Sequence, residues 1–191
     1  MAHEYGHHVA ANRVNPPWSA LTWGTKRWAS YENVCARTAH GELHPGDEAN
    51  AYMLNPGEAF AESFRVLNEQ WLGFATLGWN LVDQSLFPDQ TALLLIEEDV
   101  TQPWTGNTSS TLRGSFGAGV RRTFTLRTPL DGSLALSLAG PRAFRMSIYN
   151  GATLAGSGRS IGYQLCGERT LTLRVDRGKG SGAFTIAVSK P

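Results

Sequence analysis

From about residue 113 to the C-terminus, apolar residues fall on alternate positions, and no other feature constrains the fold as tightly. Phe124 and Leu126 alternate with polar residues, as do Leu134, Leu136 and Leu138. The same period runs through Phe144, Met146 and Ile148, through Leu171, Leu173 and Val175, and through Phe184, Ile186 and Val188. Successive side chains of a strand face opposite ways, so each segment reads as a strand with one buried face. Asn150-Gly151 is a hairpin signal, and Asp131-Gly132 and the run Gly178 to Gly182 mark further turns. Short strands separated by regular turns predict a small antiparallel β-sandwich over 113–191.

The first hundred residues follow a different pattern, helical and irregular. The polar stretch from Thr101 to Ser115 reads as a linker, centred on 101–112. The expected fold class is therefore α+β and multidomain: a mainly helical unit over 1–100, then the sandwich.

Charged residues make up 17% of the chain and the net charge is +1, which argues against a nucleic-acid surface or an acidic tail. The longest apolar run, Ala92 to Ile96, is too short to enter a membrane as a span. Twenty-one glycines, nine prolines and six tryptophans suit a turn-rich extracellular chain. The first ten residues hold three histidines and no apolar core segment, so a secretion signal is expected upstream of Met1. Cys35 and Cys166 fall in different segments, and pairing, free thiols and partners elsewhere all stay open.

The chemistry is concentrated in His3-Glu4-Tyr5-Gly6-His7, an HExxH pattern. Positions i and i+4 share one helix face, so His3 and His7 can offer two ring nitrogens to one ion. Neutral imidazole suits zinc, which in a catalytic site takes three protein ligands and a water. Glu4 is placed to act on the water instead of the metal, as a general base. Gly6 permits close packing against this helix, and His8 lies off the ligand face. Arg13 and Arg27 stand where two common spacings would put the third ligand, which excludes both. His40 and His44 lie among Gly and Pro and read as an exposed loop.

A second helix is signalled by Asn55 as N-cap and Pro56 at its first position, with Phe60, Phe64, Leu67 and Trp71 as an apolar stripe. Glu58 and Glu62 are four apart on it, so one can ligate while the other braces a histidine. The competing reading makes Glu58 a capping-box glutamate and Glu58, Glu62, Arg65 and Glu69 an ordinary solvated face.

HEYGH followed some fifty residues later by NPGEAFAES resembles a gluzincin metallopeptidase, of the type related to the anthrax-toxin lethal-factor catalytic domain. The resemblance spans about residues 3–70. It implies His3, His7 and Glu58 as zinc ligands, Glu4 as general base and Glu62 behind the ligands. The family's oxyanion-stabilising tyrosine falls on Tyr52 at a spacing one residue shorter, with Tyr31 as a rival, and Ala59 replaces an aromatic. Residues 112–191 are similar to the bacterial pre-peptidase C-terminal domain, through SFGAG, DGSLALSLAGP, CGERTLTLRV and SGAFTIAVSKP. That likeness implies an accessory module without catalytic residues.

The expectation is zinc-dependent hydrolysis of a peptide or protein substrate by a secreted metalloendopeptidase whose upstream part is missing. Nothing before His3 supplies the sheet edge on which such enzymes lay an extended substrate, and 12–52 reads as irregular, so this chain alone should cleave poorly. The alternative is a non-enzymatic binding protein acting through its β-sandwich, with carbohydrate or cell-surface contact and any metal structural. No nucleic-acid partner and no membrane insertion are expected.

Overall fold

The computed structural model describes residues 2–75, 78–117 and 119–191. Met1, on which the expectation of a missing upstream part bears, lies outside them. The chain divides into two units, Met1–Thr105 and Gly106–Pro191.

The first unit is helical: α1 (Ala2–Ala11), α2 (Ala20–Trp23), α3 (Lys26–Tyr31), α4 (Val34–Ala39), α5 (Pro56–Trp71) and α6 (Gln90–Thr101). Short 3-10 turns occupy Tyr52–Leu54 and Gln84–Leu86. Among its described residues no strand forms beyond an isolated bridge between Asn15 and Trp18. The helix α5 starts where capping chemistry places it. Pro56 takes the first position, where its missing N–H costs nothing, and the Asn55 side chain accepts from the Gly57 amide at 3.0 Å. The core gathers around Trp28 and Phe60, both fully buried and edge-on with ring centroids 5.5 Å apart. Phe60, Phe64 and Leu67 face this core as expected, whereas Trp71 is 52% exposed. Trp71 is the last residue of α5, and the chain reverses just beyond it at Gly73, whose φ is +70°.

The stretch 12–52, expected to be irregular, contains three short helices. The helix α3 is six residues long, too short for a period to show, and it is capped from a distance. Asp99 of α6, itself buried, accepts from the backbone amides of Arg27 (2.9 Å) and Trp28 (3.3 Å) and from the Arg27 guanidinium (2.7 Å). Lys26 is buried beside them, its amine donating to the Pro16 carbonyl at 2.8 Å and lying 4.7 Å from the Trp104 ring centroid.

The second unit consists of eight strands: β1 (Thr108–Phe116), β2 (Arg121–Arg127), β3 (Gly132–Ala139), β4 (Arg145–Asn150), β5 (Thr153–Gly158), β6 (Ser160–Leu165), β7 (Thr170–Asp176) and β8 (Gly182–Lys190). They form two antiparallel sheets, ordered β1-β8-β3-β6 and β2-β7-β4-β5. The alternating residues of both sheets enter one core, including Leu136 and Ile186 from the first and Ile148 and Leu173 from the second. The Asn150-Gly151 hairpin joins β4 to β5, with Gly151 at φ +56°.

Three of these strands lie outside the alternating segments named from the sequence. The linker expected over 101–112 is much shorter, because α6 runs to Thr101 and β1 starts at Thr108. As an edge strand β1 is exposed along most of its length, so its Thr and Ser residues carry no buried period. In β5, Gly156 and Gly158 leave few side chains to mark a buried face, whereas β6 does alternate, through Ile161, Tyr163 and Leu165, over only six residues. A Cβ on Gly156 would lie 3.0 Å from the Ile161 side chain.

Both cysteines, Cys35 and Cys166, are disulfide-bonded, the state expected outside the reducing cytosol. No described helix is long and apolar enough to cross a membrane.

Glu32, half-buried after α3, gives the first unit a pH dependence. Burial pushes its carboxyl up to about 7, which Arg37 opposes and Asp89 reinforces. The folded value lies above the ordinary 4.5, so the folded chain binds the proton more tightly and stability falls as pH rises from about 4.5 through about 7. Thermal melts should therefore show Glu32→Gln raising the unfolding temperature at pH 8 and leaving it near the parent value at pH 4. An equal shift at both values would contradict this account.

Candidate metal centre

The helices α1 and α5 cross at their two small residues. A Cβ added to Gly6 would lie 2.7 Å from the Ala61 Cα and 3.0 Å from its carbonyl oxygen, so only glycine permits this approach. Gly6 stands between His3 and His7, and Ala61 stands between Glu58 and Glu62. Two i,i+4 pairs are thereby pressed face to face.

The distances are short throughout. His3 Nε2 lies 3.2 Å from Glu58 Oε2, His7 Nε2 lies 3.3 Å from Glu58 Oε1, and the two Nε2 atoms are 3.3 Å apart. These three side chains are the group among the described residues whose donor atoms converge as a metal site would require. The other ring nitrogen of His3 is occupied: Nδ1 donates to Glu62 Oε2 at 3.0 Å. With the proton assigned there, Nε2 presents a lone pair toward the Glu58 carboxylate and toward His7. Two lone pairs and a carboxylate at van der Waals range repel one another unless a proton or a cation sits among them.

Glu62 is itself held. Its Oε1 accepts from Arg65 at 2.7 Å, and Arg65 donates with its other terminal nitrogen to Glu69 at 2.5 Å. Burial acts to raise the Glu62 carboxyl, but the hydrogen bonds from Arg65 and His3 outweigh it and hold the group below its ordinary value. Glu58, Glu62 and Glu69 are 5%, 2% and 8% exposed, so they are not the solvated face that spacing alone permits. Glu58 also does not serve as a capping box, since its carboxylate is spent on the two histidines and on Tyr52.

Tyr52 stands in the 3-10 turn before α5 and donates its hydroxyl to Glu58 Oε2 at 2.5 Å. Burial, the Glu58 hydrogen bond and the charges of Glu58, Glu48 and Glu4 all drive its phenol well above the usual value. Glu4 is exposed on α1 and near enough to contribute to that field. Tyr31 lies elsewhere, with its hydroxyl on Asp89 at 2.6 Å. His8, His40 and His44 are exposed and contribute no ligand to this group.

Sequence reasoning overlooked two supports. Gly57 allows α5 to start against α2, because a Cβ there would lie 2.6 Å from the Leu21 carbonyl. Asn55 does more than cap: its Oδ1 also accepts from the Gly46 amide at 3.1 Å, and its Nδ2 donates to Glu48 at 3.0 Å. The Asn-Pro in the motif was legible, but the loop that it fastens was not.

Gly6→Ala tests the crossing. The substitution gains about 1 kcal/mol of helix propensity and should nonetheless destabilise the chain by about 1–3 kcal/mol through overpacking. Metal affinity, read by competition with a chelating dye, should fall at least about tenfold, the scale of a displaced support. Ala61→Gly should not rescue it, because the nearest atoms are backbone. Parent-like affinity in Gly6→Ala would mean that the close approach does not position the donors.

No protein-family model matches this chain, and no curated protein is significantly similar to it. Among solved structures, Aeromonas hydrophila PliG, a periplasmic lysozyme inhibitor of g-type lysozyme, is similar at 17% identity. That match covers 45% of this chain and 89% of the other with a TM-score of 0.39, too low to carry an argument about fold or function.

Proposed function

We propose that the first unit is a zincin-like zinc site for peptide hydrolysis, with His3, His7 and Glu58 as the protein ligands, in a secreted chain. One observation carries the reading. Donors at about 2.0–2.1 Å from a tetrahedral ion stand about 3.3 Å apart, and the three side chains are separated by 3.2–3.3 Å. Two imidazoles and one carboxylate are also a donor set that zinc accepts.

Zinc, when bound, supplies a Lewis acid that polarises the peptide carbonyl and makes water a nucleophile near neutral pH. The remaining steps belong to the chain. Glu62 fixes the His3 ring and its tautomer, and Arg65 fixes Glu62. Glu4, next to a ligand and open to solvent, takes the proton from water and returns it to the leaving amine. Tyr52 offers the O–H that a developing oxyanion needs, from the same side as Glu58. The first unit has no described strand to receive an extended peptide, so zinc binding is expected to outlast efficient turnover in this chain.

Elemental analysis of the purified chain should give one zinc per molecule. Glu58→Gln should weaken binding by more than the roughly 10–100-fold that loss of an outer support costs. Glu4→Ala should retain zinc and abolish whatever hydrolysis a sensitive peptide assay detects. Full zinc retention in Glu58→Gln would remove the ligand assignment, and hydrolysis surviving Glu4→Ala would remove the catalytic one.

A further inference from the structure

Charge is divided unequally between the two units. Residues 106–191 hold twelve Lys and Arg against Asp131, Glu168 and Asp176, whereas residues 1–105 hold five against thirteen acidic residues. The net charge of +1, which argues against a nucleic-acid surface when read over the whole chain, is the balance of two opposed halves.

Within the second unit the cations are sorted by face. The outward strand positions of β1-β8-β3-β6 are mostly Ser, Thr, Ala and Gly, with Arg113 the one arginine among the described residues there. On β2-β7-β4-β5, the outward positions include Arg121, Arg127, Arg145 and Arg174. Register sets Arg121 and Arg145 on either side of Asp176, two strand spacings apart or about 10 Å. Arg127 lies six residues along β2 from Arg121, about 20 Å away. Arg174 sits one row in, its guanidinium 4.2 Å from the Tyr149 ring centroid. Arg121 pairs with Asp176 at 2.8 Å, but one exposed carboxylate cannot neutralise four guanidiniums. Arg142 and Lys179 extend the same end of the face from the turns that enter β4 and leave β7. Those turns are packed together, since a Cβ on Gly178 would lie 2.9 Å from the Ala143 carbonyl.

We propose that this face binds an extended anionic polysaccharide, a glycan bearing carboxylate, phosphate or sulfate groups. Thr123, Thr125, Thr172 and Ser147 stand between the arginines, offering hydroxyls that can pair with sugar hydroxyls while the guanidiniums take the acidic groups. A bilayer is a poorer fit, because Leu154 is the one large aliphatic residue at the outward strand positions. Nucleic acid is also a poorer fit: Tyr149, the aromatic on this face, is covered by Arg174 and not open for base stacking. Disulfide-bonded cysteines are compatible with a location outside the reducing cytosol, where a chain can meet such glycans.

The test uses the full chain, with heparin and polygalacturonate as anionic glycans, dextran as the neutral glycan, and duplex DNA and phosphatidylglycerol vesicles as competing polyanions. Both anionic glycans should bind and dextran should not, with affinity falling steeply as NaCl rises from about 50 to 200 mM. The triple substitution Arg121→Gln, Arg145→Gln, Arg174→Gln should weaken binding at least about tenfold, and Arg113→Gln on the other sheet less than about twofold. The turn pair Arg142→Gln, Lys179→Gln should weaken it in the same direction without touching a strand, which guards against misfolding of the triple. Absence of binding to both glycans at low salt, parent-like binding in both multiple variants, or tighter binding to DNA or vesicles would overturn the proposal.

Discussion

The candidate metal centre depends on one contact, the approach of the Gly6 backbone to that of Ala61. Helix axes separated by ordinary side chains lie about 8–10 Å apart, and carboxylates on one helix would then meet imidazoles on the other only at full reach. With no Cβ on one side and a methyl on the other, the crossing is close enough for short side chains to overlap. The two pairs straddle it, three residues before and one after: His3 and His7 around Gly6 on α1, Glu58 and Glu62 around Ala61 on α5, with Glu62 behind the candidate ligands His3, His7 and Glu58. The HExxH spacing and the Glu-x-x-x-Glu spacing are thus two halves of one geometric device.

That device is electrostatically expensive. Three carboxylates are buried on a single helix, and burying an unpaired charge costs several kcal/mol or more. Two of them, Glu62 and Glu69, share Arg65. Glu58 lies in the first turn of α5, where the helix dipole favours an anion, yet its other neighbours are two imidazoles and a phenol. The arrangement concentrates negative charge where a divalent cation would be most strongly held. Arg65 also keeps the His3 partner anionic without competing for the donor atoms.

Several of these features were legible in the sequence because local chemistry enforces them. Asn55-Pro56 must begin a helix, Gly6 allowed for close packing, and the alternating segments of the second unit could only be half-buried strands. Tyr52 stood one residue away from the spacing the resemblance called for, and the 3-10 turn at Tyr52–Leu54 folds its hydroxyl back over the first turn of α5. Other features were hidden for physical reasons. Glutamates and an arginine at helical spacing look the same whether they face water or a buried histidine. The cap of α3 comes from Asp99, 71 and 72 residues away in sequence from the amides it accepts, and β1 is an edge strand with no period to read. Whole-chain net charge concealed the opposed charges of the two units by adding them together.

The two units therefore pose separate chemical questions, one about a cation held by buried carboxylate and imidazole, the other about an anion met by exposed guanidinium. The central claim is the ligand set of the first, and X-ray absorption at the zinc edge tests it most directly. The account predicts a nitrogen and oxygen shell at about 2.0–2.1 Å, with outer scattering from two imidazoles and no sulfur. A shell containing three or more imidazoles, which would require His8, His40 or His44, would contradict it, as would zinc without an ordered shell.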